Sequence, residues 1–325
     1  GVHGLEAPSE ALYTGNSGTT TRLLCGILAG QPFTVTMSGD PSIQKRPMGR
    51  VMKPLREMGA SIEGKNDNFC PLTLFPSELH GIEYRLPVAS AQLKSAILLA
   101  GLYAEGQTTV IEPAPSRDHT ERMFRALGVE IETSGSTITL DPPEDLHAVD
   151  IAVPGDISSA AFFLVAGAII PGSELTIKNV GVNPTRTGVL DVLRDMGADI
   201  TESNFRDEAE PMCDLTVKYS KLHGVEIGGA IIPRLIDELP VIAVAAAFAE
   251  GETVIRDAQE LKVKESNRIA IMAESLNAMG ADVTETEDGM IIRGGRPLHG
   301  AEIDSHLDHR IAMTFAVPAL CADGL

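Results

Sequence analysis

Apolar and polar positions along this chain follow a pattern that recurs four times. Each copy begins with an apolar, Ala-rich stretch at helical spacing, followed by a Gly that opens a short strand. A polar loop comes next, then an amphipathic helix that ends at a second Gly, and then another strand. The repeat therefore predicts helix–strand–helix–strand units. The strand-opening glycines are Gly30, Gly106, Gly172 and Gly251.

The amphipathic helices of the four copies all end in the same way. Their apolar residues fall at helical spacing, and a Gly follows where a left-handed residue is needed before a strand begins. We therefore predict a C-terminal helix cap at each of these glycines. The segments are MKPLREMGASI at 52–62, MFRALGVEI at 123–131, VLDVLRDMGADI at 189–200 and MAESLNAMGADV at 272–283.

Residues that favour helix N-termini open the Ala-rich stretches. A small, hydroxyl-rich turn leads into a helix predicted to start near Thr20, and Ser90 opens the next one. Three aspartates, Asp156, Asp237 and Asp308, are predicted N-caps of the later ones.

Two incomplete copies flank the four complete ones. A fifth copy begins at Asp308 and stops before its end, and residues 1–15 read as the tail of an earlier copy. Six units are too many for one core, because single cores stop growing at about 250–300 residues. The expected fold class is α/β, with two inside-out domains of three repeats each, at 1–152 and 153–325. The chain starts without Met, and we expect that material is missing from both ends.

Composition limits the classes of partner that the protein is expected to bind. The net charge is -19, there is no Trp and aromatic residues make up 4%, so nucleic acid is not an expected partner. Small anions can still bind where Arg and Lys cluster locally.

The spacing of the four cysteines is typical of neither a metal site nor a disulfide framework, which favours a reducing cytoplasm. They are Cys25, Cys70, Cys213 and Cys321. No apolar run reaches the length of a membrane span, so no membrane association is expected.

Basic residues recur at matching loops of the repeat. The turn GNSGTTTR (15–22) offers backbone N–H groups and Arg22 at a helix start, a suitable anion cradle, although an ordinary capped helix is the simpler interpretation. Arg46 lies in QKRP (44–47), and Arg117 lies in SRDH (116–119), at the same position of the next copy. Solvation of a loop explains one such residue but not the recurrence.

The densest basic stretch is KVKESNR (262–268). Lys264 and Arg268 are four residues apart, so on one helix they share a face, where like charges cost free energy unless an anion lies between them. Glu265 beside them is a candidate proton carrier, and a surface ion-pair cluster is the alternative. Asp308, His309 and Arg310 combine an acid, an imidazole and a guanidinium at a helix start.

These segments together resemble the bacterial 5-enolpyruvylshikimate-3-phosphate synthases, and the likeness runs over essentially all 325 residues. ASAQ and SRDHTE are similar to the class often called type II. The motifs occur in the family's order: GNSGTTTR (15–22), QKRPMGR (44–50), ASAQLKSA (89–96), SRDHTERM (116–123), VPGDISSAAF (153–162), LIDELPV (235–241), VKESNR (263–268) and DHRIAM (308–313).

The resemblance implies transfer of the enolpyruvyl group of phosphoenolpyruvate to the 5-hydroxyl of shikimate 3-phosphate, in the shikimate pathway, by a cytoplasmic monomer without metal or cofactor. Asp237 and Glu265 are the implied catalytic residues, with Arg22 and His309 in support. The implied phosphoenolpyruvate ligands are Asn16, Gly18, Thr19, Arg46, Gln92, Arg268 and Arg310. The implied shikimate 3-phosphate ligands are Ser90, Ala91, Gln92, Arg117, Asp237 and Lys264.

Two departures from the family pattern affect this interpretation. An amino-terminal Lys-Ser and Arg and a lysine near the carboxyl terminus have no counterpart here, so we expect these 325 residues alone to fold incompletely and not to turn over. The resemblance also implies competition by glyphosate for the phosphoenolpyruvate pocket, where Gly18 leaves space. The alternatives are a UDP-N-acetylglucosamine enolpyruvyl transferase, which needs a reactive loop cysteine, and a catalytically dead anion-binding fragment.

Overall fold

A computed structural model describes residues 4–324 of the chain. The chain folds as two compact units, and the division falls between Ile151 and Ala152. The sequence places the boundary between 152 and 153. That each unit is one enolpyruvyl transferase domain stays a prediction.

Within residues 4–324 there are ten α-helices. The first unit contains α1 (Gly18–Ala29), α2 (Gly49–Glu57), α3 (Ala91–Gly101) and α4 (His119–Ala126). The second unit contains α5 (Ile157–Ile169), α6 (Gly188–Asp195), α7 (Ile232–Leu235), α8 (Leu239–Phe248), α9 (Arg268–Ala278) and α10 (His309–Ala316).

The same residues contain seventeen strands. In the first unit these are β1 (Leu12–Tyr13), β2 (Val35–Ser38), β3 (Ser61–Lys65), β4 (Phe69–Phe75), β5 (Leu79–His80), β6 (Glu83–Arg85), β7 (Ala104–Glu105), β8 (Thr108–Ile111), β9 (Ile131–Ser134) and β10 (Thr137–Leu140). In the second unit they are β11 (Glu174–Gly181), β12 (Asp199–Asp207), β13 (Pro211–Lys218), β14 (Glu226–Ile227), β15 (Glu252–Ile255), β16 (Asp282–Glu285) and β17 (Met290–Arg293).

Three sheets share one strand order. They are β1-β2-β4-β3, β6-β8-β10-β9 and β14-β15-β17-β16, and in each the first pair is parallel and the others are antiparallel. The fourth sheet is β11-β13-β12, where a single parallel bridge between Gly155 and Val180 lies at the position of the edge strand. The common order confirms the repeat.

The predicted unit was wrong in one respect, because the amphipathic helix is followed by two strands rather than one. The second strand closes a hairpin and becomes an inner strand of its sheet, as β4 does between β2 and β3. Its side chains alternate between buried and partly exposed over Phe69–Phe75, which is the period expected of a half-buried strand.

The glycines after the amphipathic helices have the predicted left-handed conformation. Their φ angles are 101° at Gly59, 81° at Gly128, 94° at Gly197 and 93° at Gly280. Side chains with a Cβ rarely adopt this region, so Gly is favoured at each helix-to-strand turn.

Helices lie at the centre of each unit and sheets lie outside. In the second unit α5 and α8 pack together, and nearly every residue of α8 is buried, as expected of a helix that is apolar all round. In the first unit α1 packs on α3 so closely that a methyl group placed on Gly26 would lie 2.2 Å from the carbonyl oxygen of Ala96. The outer strands expose alternate residues, as β11 does. This is the predicted inside-out arrangement.

Helix starts agree with the sequence except at two places. Ser90, Asp156 and Asp308 cap α3, α5 and α10 through their side chains, as predicted. The first helix begins at Gly18 rather than near Thr20, with Ser17 as its cap. Asp237 is not an N-cap, because a short helix over 232–235 precedes it and α8 begins at Leu239, after Glu238.

Among residues 4–324, no helix combines the length and the apolar character needed to cross a membrane.

Candidate active site

Two arginines lie around Gly18 at the start of α1. Ser17 accepts a hydrogen bond from the backbone N–H of Thr20 at 3.1 Å and so fixes the helix start. A methyl group placed on Gly18 would lie 2.9 Å from Nη1 of Arg22 and 3.0 Å from Nη1 of Arg46. Two guanidinium groups from different parts of the first unit therefore converge over one glycine at a helix N-terminus.

The charge around Gly18 is strongly positive. Burial lowers the pKa of Arg22, and the neighbouring positive charges of Arg46 and Arg50 lower it further. Like charges held this close repel one another, and an anion between them relieves the repulsion. The side chains and the helix N-terminus are suited to a phosphate or a carboxylate.

Gln92 is held on both sides of its amide by residues of the α1 turn. Arg22 donates from Nη1 to Oε1 of Gln92 at 2.7 Å, and Gln92 donates from Nε2 to Oγ1 of Thr19 at 2.8 Å. These bonds join the start of α1 to the start of α3. The structure thus brings together predicted residues that are about seventy positions apart in the sequence.

The start of α3 and the loop before α4 contain the remaining predicted residues of the first unit. Ser90 caps α3 by accepting from the N–H of Leu93 at 3.4 Å, and Ala91 and Gln92 form the first turn. Arg117 is half-buried in the loop between β8 and α4, and Asn16 is exposed in the turn before α1.

In the second unit, Asp237 is surrounded by three cations. Its Oδ1 lies 3.6 Å from Nζ of Lys264 and 3.7 Å from Nη1 of Arg268. Arg310 donates from Nη1 to the backbone carbonyl of Asp237 at 3.3 Å. The predicted base and three of the predicted cationic ligands therefore form one cluster, while His309 is exposed at the start of α10.

Arg268 is a buried residue held by two carboxylates. Its guanidinium contacts Asp308 through Nε and Glu265 through Nη2, the latter at 2.7 Å. Ser266 donates to the same Asp308 carboxylate at 2.9 Å. Burial acts to raise the pKa of Asp308, but hydrogen bonds from Arg268 and Ser266 and the charge of Arg268 outweigh it and hold that pKa below its usual range.

The predicted shared helix face of Lys264 and Arg268 was wrong. Gln259–Val263 is a short 3-10 helix, the chain leaves helical geometry at Lys264, and α9 begins only at Arg268. The two side chains meet at Asp237 instead, and Lys264 also contacts Glu260 at 3.2 Å. The cluster is therefore a network of ion pairs rather than two unopposed cations.

Sequence reasoning missed two buried polar groups beside the predicted residues. Lys94 contacts Glu112 and Glu121 behind the start of α3, and all three side chains are buried. Glu238, next to Asp237, accepts a hydrogen bond from Ser158, which in turn accepts one from Arg186 at 2.6 Å. Lys94 stands in the otherwise largely apolar helix AQLKSAILLAG, and this is the sequence feature that could have indicated the buried ion pairs with Glu112 and Glu121.

The family described as EPSP synthase (3-phosphoshikimate 1-carboxyvinyltransferase) matches residues 1–325. This chain belongs to the EPSP synthase family. The predicted family, fold class, function and enzyme class, 3-phosphoshikimate 1-carboxyvinyltransferase, are thereby confirmed.

Individual EPSP synthases are similar over nearly all of the chain. The 3-phosphoshikimate 1-carboxyvinyltransferase of Geobacillus thermodenitrificans is 58% identical, and the match covers 100% of this chain and 76% of that protein. The enzyme of Thermoanaerobacter sp. is 57% identical over 98% of this chain and 76% of its own length. The solved EPSP synthase of Acinetobacter baumannii has a TM-score of 0.90 at 51% identity, covering 100% of this chain and 75% of that one.

The environments of the cysteines are those expected of an EPSP synthase. They do not suit the alternative, a UDP-N-acetylglucosamine enolpyruvyl transferase, which needs a reactive loop cysteine. Cys25, Cys70 and Cys213 are buried, the first in α1 and the others in β4 and β13. Burial raises the pKa of Cys25 to about 12, and burial together with Glu202 and Asp214 raises that of Cys213 to about 11. Thiols with raised pKa values are poor nucleophiles.

Proposed function

We propose that this chain transfers the enolpyruvyl group of phosphoenolpyruvate to the 5-hydroxyl of shikimate 3-phosphate and releases phosphate. The observation that carries the proposal is the convergence of Arg22 and Arg46 over Gly18. Phosphoenolpyruvate has a phosphate and a carboxylate, and paired guanidinium groups at a helix N-terminus suit both. Its proposed ligands are Asn16, Gly18, Thr19, Arg46, Gln92, Arg268 and Arg310, with Arg22 and His309 in support.

Shikimate 3-phosphate is assigned to a second set of residues. Ser90, the backbone at Ala91, and Arg117 bind its phosphate, since a helix N-terminus and a guanidinium both favour that group. Asp237 and Lys264, whose charged atoms are 3.6 Å apart, bind its hydroxyl groups. Gln92 serves both substrates, and its amide is oriented by Arg22 and Thr19.

The chemistry consists of an addition and an elimination. Asp237 accepts the proton of the 5-hydroxyl as its oxygen bonds to C2 of phosphoenolpyruvate, and Glu265 gives a proton to the methylene carbon, which becomes a methyl group. The Glu265 carboxylate then takes a proton back from that methyl group as phosphate leaves C2, which restores the double bond, and the proton held by Asp237 passes to the departing phosphate. Negative charge on the phosphate and carboxylate is stabilised by the arginines assigned to phosphoenolpyruvate.

Binding and phosphate release, both measured on the full-length protein, test the proposal. Calorimetric titration with shikimate 3-phosphate and then phosphoenolpyruvate is followed by an assay of released phosphate. We expect binding of both ligands, and replacement of Asp237 by Asn lowers the rate of release about 10²–10⁴-fold without abolishing binding. No response to shikimate 3-phosphate would contradict the proposal.

The same assay separates the alternatives. Binding without release, with Asp237 and Glu265 intact, favours the anion-binding fragment, and a response to UDP-N-acetylglucosamine favours the sister transferase. The expectation that these 325 residues alone do not turn over stays a prediction, and the same assay on the 325-residue chain beside the full-length protein tests it separately.

We further propose that the protein acts as a monomer in the cytoplasm. Its net charge of -19 opposes self-association through a general surface, and its cysteines are free thiols. Light scattering coupled to size-exclusion chromatography should give the mass of one chain, with and without both substrates.

A further inference from the structure

Lys94 is buried inside the first unit, so its side chain cannot bind a ligand from solvent directly. Its side chain is 1% exposed, and Nζ contacts Oε2 of Glu112 at 3.0 Å and Oε1 of Glu121 at 2.7 Å. Lys94 belongs to α3 and follows Gln92 by two positions. It therefore connects the helix that bears Ser90 and Gln92 to two carboxylates on other elements.

Glu112 links Lys94 to the loop that contains Arg117. Glu112 directly follows β8, and its carboxylate accepts hydrogen bonds from the hydroxyl and from the backbone N–H of Ser116. Ser116 is the residue immediately before Arg117. The position of the loop backbone at Arg117 is thus fixed by a carboxylate that is itself fixed by Lys94.

The other end of the loop is attached to α3 in the same way. Glu121 lies in the first turn of α4 and contacts Lys94, and the hydroxyl groups of Ser95 and Thr120 are 2.7 Å apart. Two adjacent residues of α3 therefore hold both ends of the segment 112–121. The Oε2 atom of Glu121 is buried without a hydrogen-bond partner among residues 4–324.

This arrangement is not explained by stability. Burying three charged groups costs desolvation free energy. A protein with apolar residues of similar volume at such positions is often as stable or more stable. The neighbouring Leu93, Ala96 and Ile97 are apolar and fully buried, so the core needs no cation at this position. What the ion pairs supply is a fixed geometry between α3 and the loop.

We propose that Lys94 is a positioning residue for the phosphate of shikimate 3-phosphate. By holding Glu112 and Glu121, it fixes the distance between the start of α3, with Ser90 and Ala91, and Arg117. Those groups bind one phosphate together only when their spacing is correct, and a misplacement of about 1 Å can cost on the order of a hundredfold in an enzyme's rate. The inference rests on the proposed function, which assigns these groups to that ligand.

Replacing Lys94 alone leaves two buried carboxylates without a cation, so Lys94→Met is expected to unfold readily. A neutral triple variant, Lys94→Met with Glu112→Gln and Glu121→Gln, removes all three charges and keeps the side-chain volumes. We expect its urea unfolding midpoint to be close to that of the unchanged protein. Its affinity for shikimate 3-phosphate should fall about tenfold or more, while its affinity for shikimate, which lacks the phosphate, changes less than about threefold.

Two further variants keep the test decisive. Ser116→Ala removes only the hydroxyl that Glu112 holds, and should give the same selective loss, about threefold to fivefold, even if the triple variant does not fold. Glu63→Gln, which removes an exposed negative charge from β3 and changes the net charge by the same +1 as the triple variant, is the matched control for a general electrostatic effect and should bind both ligands normally.

The outcomes are distinct. Unchanged affinity for shikimate 3-phosphate in the folded triple variant and in Ser116→Ala would overturn the inference, and so would equal losses for shikimate and shikimate 3-phosphate. Absence of shikimate 3-phosphate binding by the unchanged protein would overturn the proposed function, and this inference with it.

Discussion

Arg268 and Asp308 form a buried ion pair with two hydrogen bonds, from Nε to Oδ2 at 2.8 Å and from Nη2 to Oδ1 at 3.2 Å. The same Nη2 also contacts Glu265. Nη1 is buried without a hydrogen-bond partner among the described residues, and it lies 3.7 Å from Asp237. Carboxylates thus lie on all three sides of the guanidinium, and among the described residues only the Nη1 side, which faces Asp237, makes no hydrogen bond to one.

Replacing Asp308 by Asn should destabilise the protein by about 3 kcal/mol, because it leaves the buried Arg268 with a weaker set of partners. The amide still accepts from the N–H of Arg310, so the helix cap is largely kept. Urea denaturation measures the difference. Asp156→Asn is the matched control, because Asp156 also caps a helix and contacts an arginine but its side chain is half-exposed. Its cost should stay below about 1 kcal/mol; equal costs for the two variants would contradict the argument.

The contribution of Asp308 also depends on pH. Because its pKa is below the ordinary value of 3.8 in the folded protein, its stabilisation is fully present above that pH. It is lost as the pH falls below 3.8 and through the folded pKa. The difference in unfolding free energy between the unchanged protein and Asp308→Asn should therefore shrink between pH 5 and about pH 2. If this difference in unfolding free energy grows on acidification instead, the pKa of Asp308 is raised rather than lowered in the folded protein.

Glu238 is expected to have the opposite pH dependence. Burial raises its pKa above the ordinary value of 4.5, against the effects of the Ser158 hydrogen bond and of Arg186; the charge of Asp237 raises it further, and that of Arg310 lowers it. Above pH 4.5 the unfolded chain loses this proton before the folded protein does, so stability falls as the pH rises to the folded pKa. Glu238→Gln lacks this effect. Its stability relative to the unchanged protein should improve from pH 4.5 to pH 7 in urea titrations, and a constant difference would contradict the assigned shift.

Two glycines of α1 should respond differently to Ala. At Gly18 the added methyl group meets the ends of Arg22 and Arg46, which are flexible side chains and can move away. We expect Gly18→Ala to keep its stability within about 1 kcal/mol and to weaken phosphoenolpyruvate binding, because the two guanidinium groups are pushed apart. Calorimetry and urea denaturation measure the two effects.

Gly26→Ala is the counterpart on the same helix. There the methyl group meets the backbone of α3 at 2.2 Å, which cannot move without separating the helices. We expect a loss of about 1–3 kcal/mol of stability or more. Loss of stability in Gly18→Ala as large as in Gly26→Ala would show that Gly18 is a packing residue.

The sequence predicts the repeat well because its signals are local. Helical spacing and a Gly that must be left-handed, as at Gly197, are set by neighbouring residues. Asp237 was misjudged as a cap because a preceding short helix, set by tertiary packing, changes where α8 begins. The partners of Lys94 could not be predicted, since Glu112 and Glu121 are distant along the chain and only folding brings them to its Nζ. Family resemblance supplied the proposed roles of Arg268 and Lys264, while helical spacing gave the wrong geometry for them.

The orientation of the Gln92 amide provides the last test, because it depends on one hydroxyl group of the α1 turn. Thr19 accepts from Nε2 of Gln92 at 2.8 Å, whereas the next residue, Thr20, accepts from Ser17 at 2.8 Å. Thr19→Val removes the acceptor and keeps the side-chain shape. A neutral hydrogen bond contributes about 1 kcal/mol, so the affinity for the two substrates should fall about fivefold. Calorimetric titration measures the change, and Thr20→Val, on the same turn, should remain within about twofold of the unchanged protein. If Thr20→Val loses as much affinity as Thr19→Val, the effect comes from the helix start, and Gln92 is not oriented by Thr19.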